Sequence, residues 1–154
     1  SRLSCALSSF NGNIAGCQQN NIMAERPAIH YIRGPKMRHA VAWLVDHSIK
    51  SGQLDNFKAL VEEMVQSTLS KPNTLTYEWF LSEDNGSCDR YERFVDSAAA
   101  MTRLGNFGEK FAERSLALVE VKQCIVYGAP DDEVKAVLGG FGTTFKGSLN
   151  GFAR

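Results

Sequence analysis

YERFVDSAAAMTRL, running from Tyr91 to Leu104, changes its period in mid-course. Tyr91 to Val95 alternate as a strand does. Asp96 is a good helix N-cap, and the alanines behind it favour an immediate helix. A strand that hands over to a helix without a loop brings Glu92, Arg93 and Asp96 to a joint beside a cavity rather than into open solvent.

Working outward, the neighbouring elements follow a regular order. HAVAWLVDH (His39–His47) is rich in β-branched and aromatic residues and reads as a strand, which Gly52 closes off. Asp55 or Asn56 can cap a helix whose apolar positions are Phe57, Leu60, Val61, Met64, Val65 and Leu69, spaced three and four apart in one stripe. Lys71-Pro72-Asn73 ends that helix. TLTYEWFLS (Thr74–Ser82) is a second strand, with Leu75, Tyr77, Trp79 and Leu81 on one face and Phe80 on the other. Asn85-Gly86 signals a hairpin, from which Cys88–Val95 returns antiparallel. Downstream, a helix from Ser97 to Arg114, broken near Gly105, leads to a strand over Leu116–Tyr127 that Gly128-Ala129-Pro130 stops. Asp131–Leu138 is a short helix, and Phe141–Arg154 is an irregular or short-stranded arm.

The order β-α-β-β-α-β is the ferredoxin-like α+β arrangement, an antiparallel sheet with helices on one face. The strands carry apolar residues on both faces, so the open face needs a cover. A second copy of the chain is the simplest cover. The expectation is a homodimer packed sheet against sheet, a dimeric α+β barrel, with an interface above roughly 2,000 Å².

Composition bounds the rest. With 154 residues and 44% hydrophobic content, one core is expected. Lys plus Arg equals Asp plus Glu at 17 each. Residues 1–36 hold four cations (Arg2, Arg26, Arg33, Lys36) against Glu25, and the remainder of the chain carries the compensating excess of acid. Neither nucleic acid nor an anionic membrane is an expected partner. Residues 1–36 are polar and aperiodic and read as a flexible leader, with the domain spanning 37–154 from Met37.

Cys5, Cys17, Cys88 and Cys124 form no CxxC pair and no zinc-like cluster with histidine. Cys88 and Cys124 fall in strands as small apolar residues, and a reduced, cytoplasmic protein is the expectation. The minor alternative is a lipoprotein anchored through Cys17, since Ile14-Ala15-Gly16-Cys17 resembles a cleavage box. The preceding LSCALSSFNGN is too polar for a signal segment. No apolar run approaches the ~20 residues of a membrane span. His39 and His47 share a strand face about 26 Å apart, too far for one metal ion. Gly139, Gly140 and Gly142 follow a helix rather than open one, so they form no phosphate loop.

Two readings of the aromatic and charged residues stay open at this point. Tyr77, Trp79 and Tyr91, with Trp43 nearby, can wall a pocket between helices and sheet, with Arg103 reaching its mouth and Arg93 or Arg103 favouring a bound anion. In the ordinary reading the aromatics are core, Glu92 and Arg93 point to opposite faces and pair across the sheet, and Asp96 only caps.

The chain resembles the antibiotic biosynthesis monooxygenase superfamily, and within it the quinol monooxygenase-like members. These carry a pattern close to ERYxDSxA after a Tyr-rich second strand, matched here by Glu92, Arg93, Phe94, Asp96, Ser97 and Ala98. Val126-Tyr127-Gly128 and Gly151-Phe152-Ala153-Arg154 match the family's strand end and closing tail. The resemblance spans Met37 to Arg154. It implies a homodimer and a cofactor-independent monooxygenase that lets a deprotonated aromatic quinol or phenol react with oxygen itself. A non-catalytic dimeric binding or stress-linked module is the alternative, and another small-molecule enzyme on the fold the third. Many relatives have His where this chain has Arg103, and Arg is no proton shuttle near neutral pH. Haem-degrading relatives hold iron through a helical His, and no predicted helix here has one.

Overall fold

The computed structural model describes residues 39–151. The leader with its Cys17 box, the Met37 start and Phe152–Arg154 of the closing motif lie outside the described residues.

The elements are β1 (Val41–Ile49), α1 (Leu54–Leu69), β2 (Thr74–Leu81), β3 (Ser87–Phe94), α2 (Ser97–Lys110), α3 (Ala112–Leu118), β4 (Val119–Gly128), α4 (Asp132–Gly139) and β5 (Thr144–Lys146). One sheet has the order β2-β3-β1-β4-β5. The first four strands pair antiparallel, as the ferredoxin-like reading requires. The short β5 adds in parallel to β4, so the sheet is mixed rather than wholly antiparallel.

Asp96 caps α2 as expected, its carboxylate accepting from the Ala99 amide at 2.9 Å. The hairpin forms, but its loop spans Ser82–Gly86, with Asn85 in the left-handed region at φ 59° and the Asp84 carboxylate accepting from Gly86 N. Three boundaries differ from the sequence reading. α1 starts at Leu54, with Gln53 at its N-cap and no side-chain cap. Asp55 therefore sits in the first turn, where its charge suits the positive end of the helix dipole. The second helix runs through Gly105 and breaks instead at Phe111, whose φ of −128° ends α2 and starts α3. Leu116–Leu118 are accordingly helical, and β4 begins at Val119. Both glycines of α2, Gly105 and Gly108, sit on its outer side with nothing close by, so no packing constraint forces a break there.

All four helices lie on one face of the sheet, where two kinds of core meet. Under α2 and α4 the core is apolar: Val41, Trp43, Val45, Phe94, Ala99, Ala100, Cys124, Val126, Val134 and Leu138. Under α1, α3 and the second half of α2 it is aromatic and charged, built around Phe57, Leu60, Met64, Phe111, Tyr77, Trp79 and Phe107. Most of the α1 stripe is inward, but Leu69 at its end is 72% exposed. The opposite sheet face exposes Phe80 and leaves Leu44, Tyr91, Ile125 and Tyr127 half-buried.

Candidate functional site

β3 decides the site. Cys88, Arg90, Glu92 and Phe94 point toward the helices and are buried; Tyr91 and Arg93 belong to the other face. The register lines them up with their neighbours. Tyr77 on β2 and Trp43 on β1 flank Glu92, while Trp79 and Val45 flank Arg90. From above, α2 lowers Arg103 and Phe107, one turn apart on the same side.

Glu92 is the hub. One of its oxygens accepts from the Trp43 indole N–H. The other accepts from Arg103 Nε at 3.0 Å and lies 3.6 Å from Arg90 Nε, an ion pair too long for a hydrogen bond. Arg103 Nη2 donates to the Tyr77 hydroxyl at 3.1 Å. Both guanidinium groups also stack on rings: Arg90 on Trp79 and Phe107, Arg103 on Tyr77 and Phe107, at 5.2–5.4 Å. Such contacts strengthen when desolvated. These charges are inside the protein, with Glu92 1%, Arg103 2% and Arg90 8% exposed.

The cluster does not balance. Two cations face one carboxylate. Among the described residues, Arg90 Nε and Nη1, Arg103 Nη1 and Trp79 Nε1 are buried without an acceptor. Unpaired buried donors cost stability, so a cluster with four of them is not explained by stability alone. Burial holds the Tyr77 hydroxyl pKa above its usual value, partly offset by Arg103, so it stays protonated.

His47 sits beside this cluster, 5.7 Å from the Trp79 ring centroid and near the Phe57 ring. Its Nδ1 is 3.1 Å from the Cys88 carbonyl, which can only accept, so that nitrogen carries the proton. Burial, and then the charge of Arg90, lower its pKa to about 4. Burial raises the pKa of Cys88 to about 11 and also raises that of Cys124, so neither thiol is a ready nucleophile. No group of three His, Cys, Asp or Glu side chains among the described residues is placed to hold a metal ion. No described helix is long and apolar enough to cross a membrane.

Of the six residues expected to form the site, Trp43, Tyr77, Trp79 and Arg103 come together. Tyr91 and Arg93 do not: they line the open face, Tyr91 between Leu44 and Glu78 and Arg93 opposite Ala42. Arg103 is not at a mouth but at the centre. Glu92, expected only at the strand-to-helix joint, and Arg90 and Phe107, not expected at all, complete the cluster. One signal pointed to the first two, since Arg90 and Glu92 share strand parity with Cys88 and Phe94.

The expected pocket of roughly 300 Å³ is not open here. Two shallow hollows lie on either side of Lys71 and Thr74, and Tyr77 of the cluster lines one of them. One, about 200 Å³, is bounded by Val65, Leu69, Lys71, Leu75 and Tyr77. The other, about 170 Å³, lies across Lys71 and Thr74, against Ala99 and Thr102. Lys71 Nζ donates to the Ser67 carbonyl at 2.6 Å, and its pKa is lowered by burial and then by Arg103 and Lys110. Lys71 therefore places a cation at the wall of both hollows.

No protein-family model matches the chain, and no curated protein does. Solved structures do. MupZ of Pseudomonas fluorescens superposes with a TM-score of 0.68 at 19% identity, over 75% of this chain and 95% of its own. A Nitrosomonas europaea protein, provisionally named an antibiotic biosynthesis monooxygenase, gives 0.54 at 16% identity, over 59% and 90%. SnoaB of Streptomyces nogalater, a cofactor-independent oxygenase, gives 0.52 at 15% identity, over 60% and 95%. With element order, sheet order and these superpositions in agreement, the chain has the α+β fold of the antibiotic biosynthesis monooxygenases.

Proposed function

We propose that this protein is a cofactor-independent monooxygenase of an aromatic, quinol- or phenol-type small molecule, working as a homodimer. The observation that carries the reading is the buried cluster of Trp43, Tyr77, Trp79, Arg90, Glu92 and Arg103, cationic and aromatic together. Aromatic walls accept a flat ring, and the guanidinium groups stabilise an oxyanion where water is excluded. The phenolic proton passes to solvent, and the electron-rich anion is oxidised by molecular oxygen as co-substrate, one oxygen atom staying on the ring and the other leaving as water. The fold is one that SnoaB, a cofactor-independent oxygenase, also has.

A second reading, a binding module without catalysis, is favoured by one observation: the cluster is packed, and its hollows reach only about 200 Å³. A substrate with more than one ring requires the side chains around Tyr77 and Lys71 to move aside. Oxygen uptake with a panel of naphthoquinols and anthrones separates the readings. Consumption that falls at least tenfold in Trp79→Ala supports the oxygenase; no uptake with any member of the panel supports the binding module.

The dimer forms through the sheet face opposite the helices, which carries Phe80, 53% exposed, on β2 and half-buried Tyr91 and Tyr127 on β3 and β4. Light scattering at micromolar concentration should give twice the chain mass of 17.0 kDa. A value of one chain mass would remove the dimer from the proposal.

A further inference from the structure

We infer that the ligand is an organic carboxylate: an apolar or aromatic body in the hollow beside Lys71, its carboxylate on the donors of Arg90 and Arg103. The inference concerns the same cluster as the proposed function but does not depend on oxygen chemistry.

Charge is the first ground. Arg90 and Arg103 share a single buried carboxylate, and three of their N–H groups have no acceptor among the described residues. Trp79 Nε1 adds a fourth unpartnered donor on the strand beside Arg90. An array of donors only, with one excess positive charge, suits an oxyanion, and planar guanidinium groups suit a carboxylate best.

The second ground is the lack of a proton acceptor. Both Glu92 oxygens are occupied, by Trp43 on one side and Arg103 on the other. The Tyr77 oxygen accepts from Arg103 and keeps its own proton. His47 has its Nδ1 on the Cys88 carbonyl, and its pKa of about 4 makes it a weak base. A phenol must first lose a proton, to solvent or to one of these weak acceptors, before it can use the donors as an anion. A carboxylic acid arrives already ionised at neutral pH.

The entrance is the third. Tyr77 belongs both to the cluster and to the hollow of about 200 Å³. That hollow has an apolar lip in Leu69 and Leu75, 72% and 44% exposed, and a cation in Lys71. The hollow joins an apolar lip to a cation, and Tyr77 at its wall is the residue that Arg103 hydrogen-bonds.

The test uses the full chain and three probes of one shape: 2-naphthoate, its neutral amide and 2-naphthol. Calorimetry should show the carboxylate binding at least tenfold more tightly than the amide, with added salt weakening the carboxylate alone. Only two indole N–H signals exist, from Trp43 and Trp79. In a proton–nitrogen correlation spectrum the Trp79 signal should move on adding naphthoate, because its donor is unpartnered. The Trp43 signal should move less, because Glu92 already holds it. Arg90→Gln should abolish the preference for the carboxylate. Lys71→Gln, at the rim, should lower it about threefold. Equal binding of acid and amide, a still Trp79 signal, or an unchanged preference in Lys71→Gln would overturn the inference. Binding of 2-naphthol alone would overturn it while leaving the phenol-type oxygenase standing. Naphthoate binding without oxygen uptake from any quinol would do the reverse.

Discussion

The two halves of the layer between sheet and helices are built by the same alternation and differ in what they bury. Under α4 and the start of α2, strands β1 and β4 present Val41, Val45, Cys124 and Val126 to Ala99, Ala100, Val134 and Leu138. Apart from Trp43, whose indole N–H reaches across to Glu92, nothing there needs a polar partner. Under α1 and the second half of α2, strands β2 and β3 present Tyr77, Trp79, Arg90 and Glu92 to Arg103 and Phe107. A buried ion pair is rarely better for stability than apolar residues of the same volume. The first half holds the fold together; the second carries a cost in stability that the proposed binding site would explain.

The sharpest way to break this comparison is to remove the hub. Glu92→Ala should destabilise the chain by about 3–5 kcal/mol in urea, because it strands two buried guanidinium groups and the Trp43 indole. Val126→Ala in the apolar half should cost about 2 kcal/mol, a matter of lost contact and cavity alone. Equal losses would mean that the two halves do not differ in kind.

The apolar half has its own unforgiving point. Gly128 has φ 101° at the end of β4, and a β-carbon there would overlap the Ala40 carbonyl oxygen. Gly128→Ala should cost about 3 kcal/mol, read as a lowered urea midpoint with an unchanged slope. This backbone approach is the physical content of the Val-Tyr-Gly strand end.

A pH titration sharpens the contrast from the polar side. The His47 pKa is lowered from 6.5 to about 4 in the fold, so the unfolded chain binds the proton more readily. The contribution is fully present above pH 6.5 and is lost as the pH falls toward 4. About 2–3 kcal/mol should disappear across that window, and His47→Gln should flatten the profile there. A profile identical in the variant would show that the imidazole is not held neutral by its surroundings.

The smallest effect belongs to the joint between the halves. Asp96→Ala removes the cap on Ala99 N and should cost about 1 kcal/mol in thermal or urea unfolding, without changing ligand affinity. A larger loss with altered binding would mean that the joint also positions Arg103.

Much of the molecule was legible residue by residue. The strand-to-helix change at Val95–Ser97, the Asp96 cap, the α1 stripe and the hairpin at Asn85 follow from local stereochemistry, which the neighbours did not override. Less legible were the helix break, which fell at Phe111 rather than Gly105, and the parallel pairing of β5, a segment expected only as an irregular or short-stranded arm. The break is set by the reversal needed to reach β4, and β5 pairs in parallel over three residues through tertiary contact alone.

By itself, then, the sequence determined the order of elements, the α+β fold and the inward phase of β1 and β2, because periods of 2 and 3.6 are local properties. For β3 the sequence reading set Tyr91 and Arg93 inward, and the structure turns the other phase in. Tyr91 and Arg93 in one phase and Arg90 and Glu92 in the other are nearly balanced, and an aromatic usually turns inward while charges turn outward. Only the tertiary structure decided this. Phe94 had to meet Val41 and Cys88 had to meet His47 across the ladder, and strand geometry then carried Arg90 and Glu92 inside with them. Tyr91, one residue out of phase, went to the open face, and the buried charge of the site was set by register rather than by any residue's own preference.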